Sequence, residues 1–465
     1  MHNRRLRPAL LASVSSLALL LAACGGANDL GGGSSDGGSK GTTSQDKTEG
    51  SADCAEFEQY GKFEGETVNI FSSIRDVEAE LLDKSWEDFA RCTGMKIVHN
   101  GVGEFESQIV VQVEGNNAPD LAFFPQPGLL ARLAKGGHLK PAPEAVKKNT
   151  DEGWSPEWAD YATVDGTFYG APLMASVKSF VWYSPSKFKE AGYEVPKTLD
   201  ELTALTEKIA ADNPDGNTKA WCAGIESGGA TGWPLTDWVE DFVLRTAGPE
   251  TYDKWVKHEI PFNDPQIVES LDKVGSYLKN DKFANGGIGD FRTIAATTFN
   301  DGGLPILDGQ CFMHRQASFY EVQWPEGTKV GPDGDVFAFY LPGKNAEEKP
   351  LLVAGEFVGA FNDRPATQAL QTYLSSAHWA NSRVSLGGVT SANKGVDPAN
   401  ASSDVLRLAI ELLQDDKAVS RFDGSDIMPS EVGAGSFWKS MTQWIDDKRD
   451  SATALSDIEA SWPKN

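Results

Sequence analysis

From Thr67 onward short apolar runs alternate with amphipathic ones, and this alternation restricts the fold more than any other feature. Residues 68–71 read as a strand, and Val77, Leu81, Trp86 and Phe89 then fall roughly on one helical face. Residues 96–98 form the next strand. Phe105, Ile109 and Val113 are spaced by four, so that helix lays one stripe on a sheet. Residues 121–124 make a third strand, closed by Pro125 and Pro127. Such alternation predicts an α/β fold with parallel strands and crossover helices. In open sheets of this kind ligands sit beyond the carboxyl ends of the strands. Those ends carry Ser72, Ser73, Gly103, Glu104 and Gln126, which are also the residue types that cap helices and fill loops.

The second half repeats the logic. Strands are expected at 179–183, 221–225, 311–314 and 336–339. Thr198-Leu199-Asp200-Glu201 is a capping box for a helix presenting Leu202, Leu205 and Ile209. A glycine-rich turn, 228–232, precedes a helix opened by Trp233-Pro234, with Leu235, Trp238, Phe242 and Val243 turned inward. Asp264-Pro265 opens another helix, reaching about Lys279. Further helices are expected at 366–380, 404–414 and 437–447. No internal repeat is evident.

The first residues read as a targeting segment. Arg4, Arg5 and Arg7 precede an apolar stretch, 10–21, and then the small residues Ala22 and Ala23 before Cys24. The stretch is shorter than the about 20 residues a membrane span needs. Leu21-Ala22-Ala23-Cys24 resembles a bacterial lipobox, which implies cleavage before Cys24 and lipid on its thiol. Two or three acyl chains on one residue anchor stably where one does not. Residues 25–51 are nearly devoid of apolar side chains and read as a flexible tether. The body beyond, roughly 410 residues, is too long for one core and calls for at least two lobes.

The chain carries a net charge of −25, and removing residues 1–23, with three Arg and no acid, takes it to about −28. Such a polyanion does not bind nucleic acid or acidic headgroups by counterion release. Enzyme motifs are poorly supported. Gly33-Ser34-Ser35-Asp36-Gly37 matches a nucleophile elbow only on paper, because it lies in the tether. Gly101-x-Gly103 follows a strand, but Glu106 replaces the third glycine of a dinucleotide motif and would repel a pyrophosphate. The cysteine spacing matches no metal motif, and no cofactor is implied. The aromatic content stands out: there are thirteen Trp, and Trp233, Trp438 and Phe319 fall near predicted turns. A pyranose offers a C–H face to an aromatic ring and a rim of hydroxyls to carboxylates and amides, and needs no nucleophile.

Several stretches, in order, resemble the bacterial extracellular solute-binding proteins of carbohydrate ABC importers, and among them the α-glucoside-binding branch, with maltose-binding proteins as distant relatives. They are Ala118-Pro119-Asp120-Leu121-Ala122-Phe123, Phe168-Tyr169-Gly170-Ala171-Pro172, and Ser179-Phe180-Val181-Trp182-Tyr183-Ser184. Later come Ala230-Thr231-Gly232-Trp233-Pro234, the run from Arg421 through Asp423, Asp426 and Met428 to Pro429, and Gly435-Ser436-Phe437-Trp438. The resemblance implies a two-lobed, periplasmic-binding-protein-like (type II) fold with hinge crossings. It places one lobe at 54–175 plus 336–391 and the other at 176–335 plus 392–465, after a signal peptide at 1–23 and a lipidated tether at 24–53. Pairing within lobes then joins Cys54 to Cys92 and Cys222 to Cys311. Lobes of this type clamp on a ligand.

The resemblance also implies a set of ligand contacts. Ser72, Ser73, Glu104, Phe105, Asp120 and Gln126 come from the first three strand ends. Thr231 and Trp233 lie on the second lobe. Arg315, Gln316 and Phe319 follow the strand that starts at Cys311, with Phe319 where maltose-binding relatives carry Trp. Gly355, Glu356 and Phe357 belong to a later loop, and Asp423, Asp426 and Trp438 complete the set. Ser176 stands where maltose-binding relatives carry Glu, which favours a short glucoside over a maltodextrin. The implied role is a monomeric, non-catalytic receptor for trehalose, maltose or sucrose, lipid-anchored outside the cell membrane and serving a permease. A polyamine receptor is the rival, since acids in an aromatic cleft also suit a cation. A surface-anchored glycosidase is the enzyme alternative.

Overall fold

A computed structural model describes residues 53–415 and 417–464. The targeting segment, Cys24 and most of the tether lie outside the described residues. The first sheet has five strands in the order Lys96–Gly101, Thr67–Ser72, Leu121–Phe124, Phe357–Ala360 and Gly170–Pro172. The first three run parallel, as the alternation predicts, while Phe357–Ala360 returns antiparallel to both neighbours. Leu121, Ala122, Phe123 and Phe124 are all buried, which fits a strand covered on both faces.

The second sheet orders Phe337–Tyr340, Phe180–Tyr183, Cys311–Arg315 and Lys219–Trp221. A third, small sheet joins Val419–Phe422, Pro350–Ala354 and Ser176–Val177. Strand Pro350–Ala354 shows why this is the junction of the lobes. Leu351 and Val353 belong to one core and Leu352, between them, to the other. A strand alternates its side chains between two faces, so a single strand serves both cores.

Several expectations need correction. Strand Phe337–Tyr340 pairs with Phe180–Tyr183, so the boundary read at 336 falls inside the second sheet. Helix Asp404–Leu413, read as part of the second lobe, clusters Leu406 and Ile410 with Ala380 and Val384. The strand expected at 221–225 ends at Trp221, because the Asn285 side chain takes the Ala223 N–H at 3.0 Å. The helix expected at 366–380 is two, Pro365–Leu374 and Ala377–Ser385, and the Ser376 hydroxyl caps the second. Val77, expected on one helical face with Leu81, Trp86 and Phe89, is 49 % exposed, because the segment is two helices, Asp76–Lys84 and Glu87–Thr93.

Other local readings hold. Thr198 Oγ1 accepts the Glu201 N–H at 3.2 Å, closing the expected cap. Asp264 accepts from Gln266 N–H at the head of helix Pro265–Leu278. Both disulfides pair as expected, Cys54 with Cys92 and Cys222 with Cys311. No helix among the described residues is long and apolar enough to cross a membrane.

Candidate ligand-binding cleft

The strand ends of the first sheet and the junction strands converge on one cavity of about 230 Å³. Strand Thr67–Ser72 delivers the turn that follows it, and Ser73, Arg75, Asp76 and Glu78 line the cavity. Ser72 does not. Its hydroxyl lies 2.7 Å from His99 Nε2 and accepts the Ile74 N–H at 3.1 Å, so it ties the turn down from behind. Burial pushes His99 down to about 4, and the ring acts as a neutral partner. A Cβ at Gly101 would lie 1.8 Å from the Ile74 carbonyl, and one at Gly103 would lie 3.2 Å from an Arg75 guanidinium nitrogen. Gly101 therefore admits the close approach of the turn, while the Arg75 tip over Gly103 could move aside. Asp76 adopts a left-handed φ of 53°, unusual without glycine, directly on the cavity wall.

Aromatic rings form the opposite side. Trp233 packs 5.3 Å from Phe299 and 6.0 Å from Phe319, and all three line the cavity with Trp438. The Lys178 ammonium stands 4.8 Å from the Trp233 ring. Polar groups fill the remainder. Gly355 and Glu356 come from the link between two strands, Asp423, Ser425 and Asp426 from the turn after Val419–Phe422, and Arg383 from helix Ala377–Ser385. Glu106 accepts from Gln126 Nε2 at 3.0 Å.

Beneath the cavity runs a buried ladder of alternating charge. Lys178 Nζ lies 3.1 Å from both Asp237 and Asp423. Arg315 bridges Asp237 at 3.2 Å and Asp241 at 2.6 Å, and Arg245 closes on Asp241 at 2.5 Å. Arg245 then donates to the carbonyls of Leu341 at 2.7 Å, Pro342 at 3.0 Å and Pro350 at 2.9 Å, in the crossing between lobes. Ionised side chains are buried at tolerable cost only when so paired. Burial would raise the Asp423 carboxyl, but the Lys178 ammonium and neighbouring hydrogen bonds outweigh it and hold the group at about 2. Burial pushes Glu356 up to about 7. Glu78 is also pushed to about 7, by burial and then by Glu356. Burial draws the Arg383 guanidinium down to about 10 against the pull of both acids.

Three residues of the lining each hold a buried side-chain atom with no hydrogen-bond partner among the described residues: Gln126 Oε1, Arg383 Nε and Trp438 Nε1. Such atoms lose about 1–3 kcal/mol each when desolvated without a partner. They amount to one acceptor and two donors. A ligand that satisfies them must both donate and accept.

Of the expected contacts, the structure gathers Ser73, Gln126, Trp233, Phe319, Gly355, Glu356, Asp423, Asp426 and Trp438 around the cavity. It places the others elsewhere. Phe105 is core, packed 5.5 Å from Phe71 and 5.9 Å from Phe124. Asp120 accepts from the Asn69 N–H at 2.7 Å and pairs with Arg364 at 2.8 Å, which secures strand Thr67–Ser72. Phe357 is buried against Trp158 and Phe422. Arg315 is fully occupied in the ladder, and Gln316 Oε1 accepts the Ala317 N–H at 2.9 Å. Glu104 is exposed, outside the lining. Thr231 donates to the Gly228 carbonyl at 2.7 Å and faces a separate surface pocket on another side of Trp438.

The sequence reading missed Asp76, Glu78, Lys178, Arg383 and Phe299 as lining residues. Two carried a signal. Lys178 interrupts an apolar strand run, and Arg383 sits between Ala380 and Val384 on the buried face of its helix. A cation in such a place needs a partner.

The profile of the bacterial extracellular solute-binding protein family matches residues 75–297. The chain is 38 % identical over 432 residues to the alpha-glucosides-binding periplasmic protein AglE of Rhizobium meliloti, covering 88 % of this chain and 90 % of that one. The chain belongs to the bacterial extracellular solute-binding proteins. It is also 39 % identical over 402 residues to the osmoprotective compounds-binding protein GgtB of Synechocystis, covering 85 % of this chain and 92 % of the relative. Its fold superposes on the solved bacterial solute receptor AcbH with a TM-score of 0.69 at 18 % identity, over 85 % of this chain and 97 % of the receptor. This solute-binding protein thus has the two-lobed architecture of its family and serves an ABC transporter.

Proposed function

We propose that this solute-binding protein captures a small α-glucoside, such as trehalose, maltose or sucrose, in the cavity and delivers it to the permease without chemical change. The carrying observation is the pairing of an aromatic wall, Trp233, Phe319 and Trp438, with unpartnered buried atoms of both polarities. Stacking supplies apolar burial and dispersion, while hydroxyls, which donate and accept, satisfy Gln126, Arg383 and Trp438 together. The cavity, at about 230 Å³, lies just under the about 300–1,000 Å³ of sites for drug-sized ligands, which suits one or two sugar rings. The name of the relative AglE, an alpha-glucosides-binding protein, is in keeping with this ligand class, whereas GgtB is named only for osmoprotective compounds.

A polyamine fits less well. Its ammonium groups only donate, and would leave the Arg383 and Trp438 donors without acceptors. The lobes would stand at the outer face of the cell membrane, held there by lipid on Cys24 through the tether. Thermal unfolding with a panel of disaccharides and spermidine tests the reading. A glucoside at about a hundred times its Kd should add about 2.7 kcal/mol of stability, with no glucose released on incubation. Stabilisation by spermidine alone, or released glucose, would refute it.

A further inference from the structure

We propose that Asp426 meets the ligand as a neutral carboxylic acid and donates a hydrogen bond to a ligand oxygen. The inference rests on the capture of a sugar in this cavity, and reverses the role that an aspartate on a sugar site suggests. It starts from a charge balance in the buried cluster under the cavity. Three cations, Lys178, Arg245 and Arg315, face five acids: Asp237, Glu240, Asp241, Asp423 and Asp426. The geometry assigns the cations to three of them. Asp423 and Asp237 share Lys178, Asp237 and Asp241 share Arg315, and Asp241 holds Arg245. Glu240 has no cation partner among the described residues, yet both of its oxygens are served, by the Gly424 and Ser425 N–H groups and the Tyr252 hydroxyl.

Asp426 has neither kind of support. It is only 7 % exposed, it lines the cavity, and its carboxyl makes no ion pair and no hydrogen bond among the described residues. Its own N–H donates to Asp423 Oδ1 at 3.3 Å, which brings a second carboxylate alongside. The charged groups around it are Asp423 on its own turn, Asp237 and Glu240 on helix Trp233–Thr246, Glu106 on helix Phe105–Glu114 and the Lys178 ammonium, which is already shared by two acids. A second negative charge there would be both desolvated and repelled. Burial and Asp423 accordingly push the Asp426 carboxyl well up. A protonated Asp426 lining the cavity is an O–H donor in search of an acceptor.

Two substitutions test whether a neutral hydrogen-bonding group suffices. Asp426→Asn keeps a donor and the volume, whereas Asp426→Ala removes both. Titration calorimetry at pH 7 with a disaccharide that binds the wild type should give an Asn variant within about threefold of wild type and an Ala variant weaker by about ten- to a hundredfold. An Asn variant as weak as the Ala variant would overturn the proposal. The infrared carbonyl band of a protonated carboxylic acid should be present in the ligand-free wild type at pH 7 and diminished in Asp426→Asn. No difference between the two spectra would overturn it as well. The spectrum needs no ligand, so it decides the protonation even where the glucoside reading itself fails.

Discussion

Lys178 is one of three cations in the buried ladder at the junction of the lobes, and replacing it with Met tests the ladder directly. Met keeps most of the aliphatic length and removes the charge. The ammonium makes two contacts of 3.1 Å, to Asp237 and Asp423. At an effective dielectric of about 20 each has a gross attraction of about 5 kcal/mol, much of it offset by desolvation. Asp237 retains Arg315 after the substitution, so Asp423 is the acid left uncompensated. Removing one partner of a buried pair costs about 3–5 kcal/mol, and Lys178→Met should lose that much in urea unfolding at pH 7.

The pH dependence gives the sharper test. In the wild type the Asp423 carboxyl is held at about 2, below its ordinary value. Its contribution is therefore present above the ordinary carboxylate range and lost as pH falls toward that value. In the variant the same buried carboxylate has lost its cation, and its folded value rises above the unfolded one. The destabilisation is then full at high pH and relieved as pH falls. The gap between wild type and variant should narrow on going from pH 7 to pH 4, and Lys178→Met combined with Asp423→Asn should recover about half of the loss. A gap under about 1 kcal/mol at pH 7, or one that widens on acidification, refutes the reasoning.

Gly101→Ala places a Cβ 1.8 Å from the Ile74 carbonyl, which only backbone movement can relieve. It should weaken sugar binding at least tenfold while costing about 1–3 kcal/mol of stability, as read by calorimetry and urea unfolding. The disulfides differ in the loops they close, with sequence separations of 89 for Cys222–Cys311 and 38 for Cys54–Cys92. Chain entropy predicts losses of about 4.6 and about 3.9 kcal/mol when each pair is replaced by Ser, and unfolding midpoints should fall in that order.

Much of the fold was legible because it rests on local pattern. The period-four stripe of Phe105, Ile109 and Val113 is buried as read, and the Thr198 cap forms. The strand-end rule reached Ser73 and Gln126, and stopped short of Asp76 and Glu78, because the cavity wall continues past the turn into the first turn of helix Asp76–Lys84. The misplaced contacts, most of them implied by the family resemblance, have one physical cause: a residue type suited to a ligand is equally suited to structure. Asp120 has the carboxylate a sugar needs, yet Arg364 and the Asn69 N–H consume it. Arg315 is spent on two aspartates, and Ser72 on His99 and Ile74. Only long-range pairing distinguishes these from Glu356 or Asp426, and pairing between residues far apart leaves no mark on local spacing. The lobe boundary at 336 failed for the same reason, since strand Phe337–Tyr340 takes its sheet from a partner far back in the chain.

The most direct test of sugar capture is titration calorimetry of the wild type and Trp438→Ala with trehalose, maltose and sucrose. At least one should bind the wild type with one-to-one stoichiometry at micromolar Kd, about −8 kcal/mol. Trp438→Ala should weaken that binding at least tenfold, since it removes both the ring and a donor on the cavity lining. No heat with any of the three sugars would contradict the account, and so would undiminished binding by the Trp438→Ala variant.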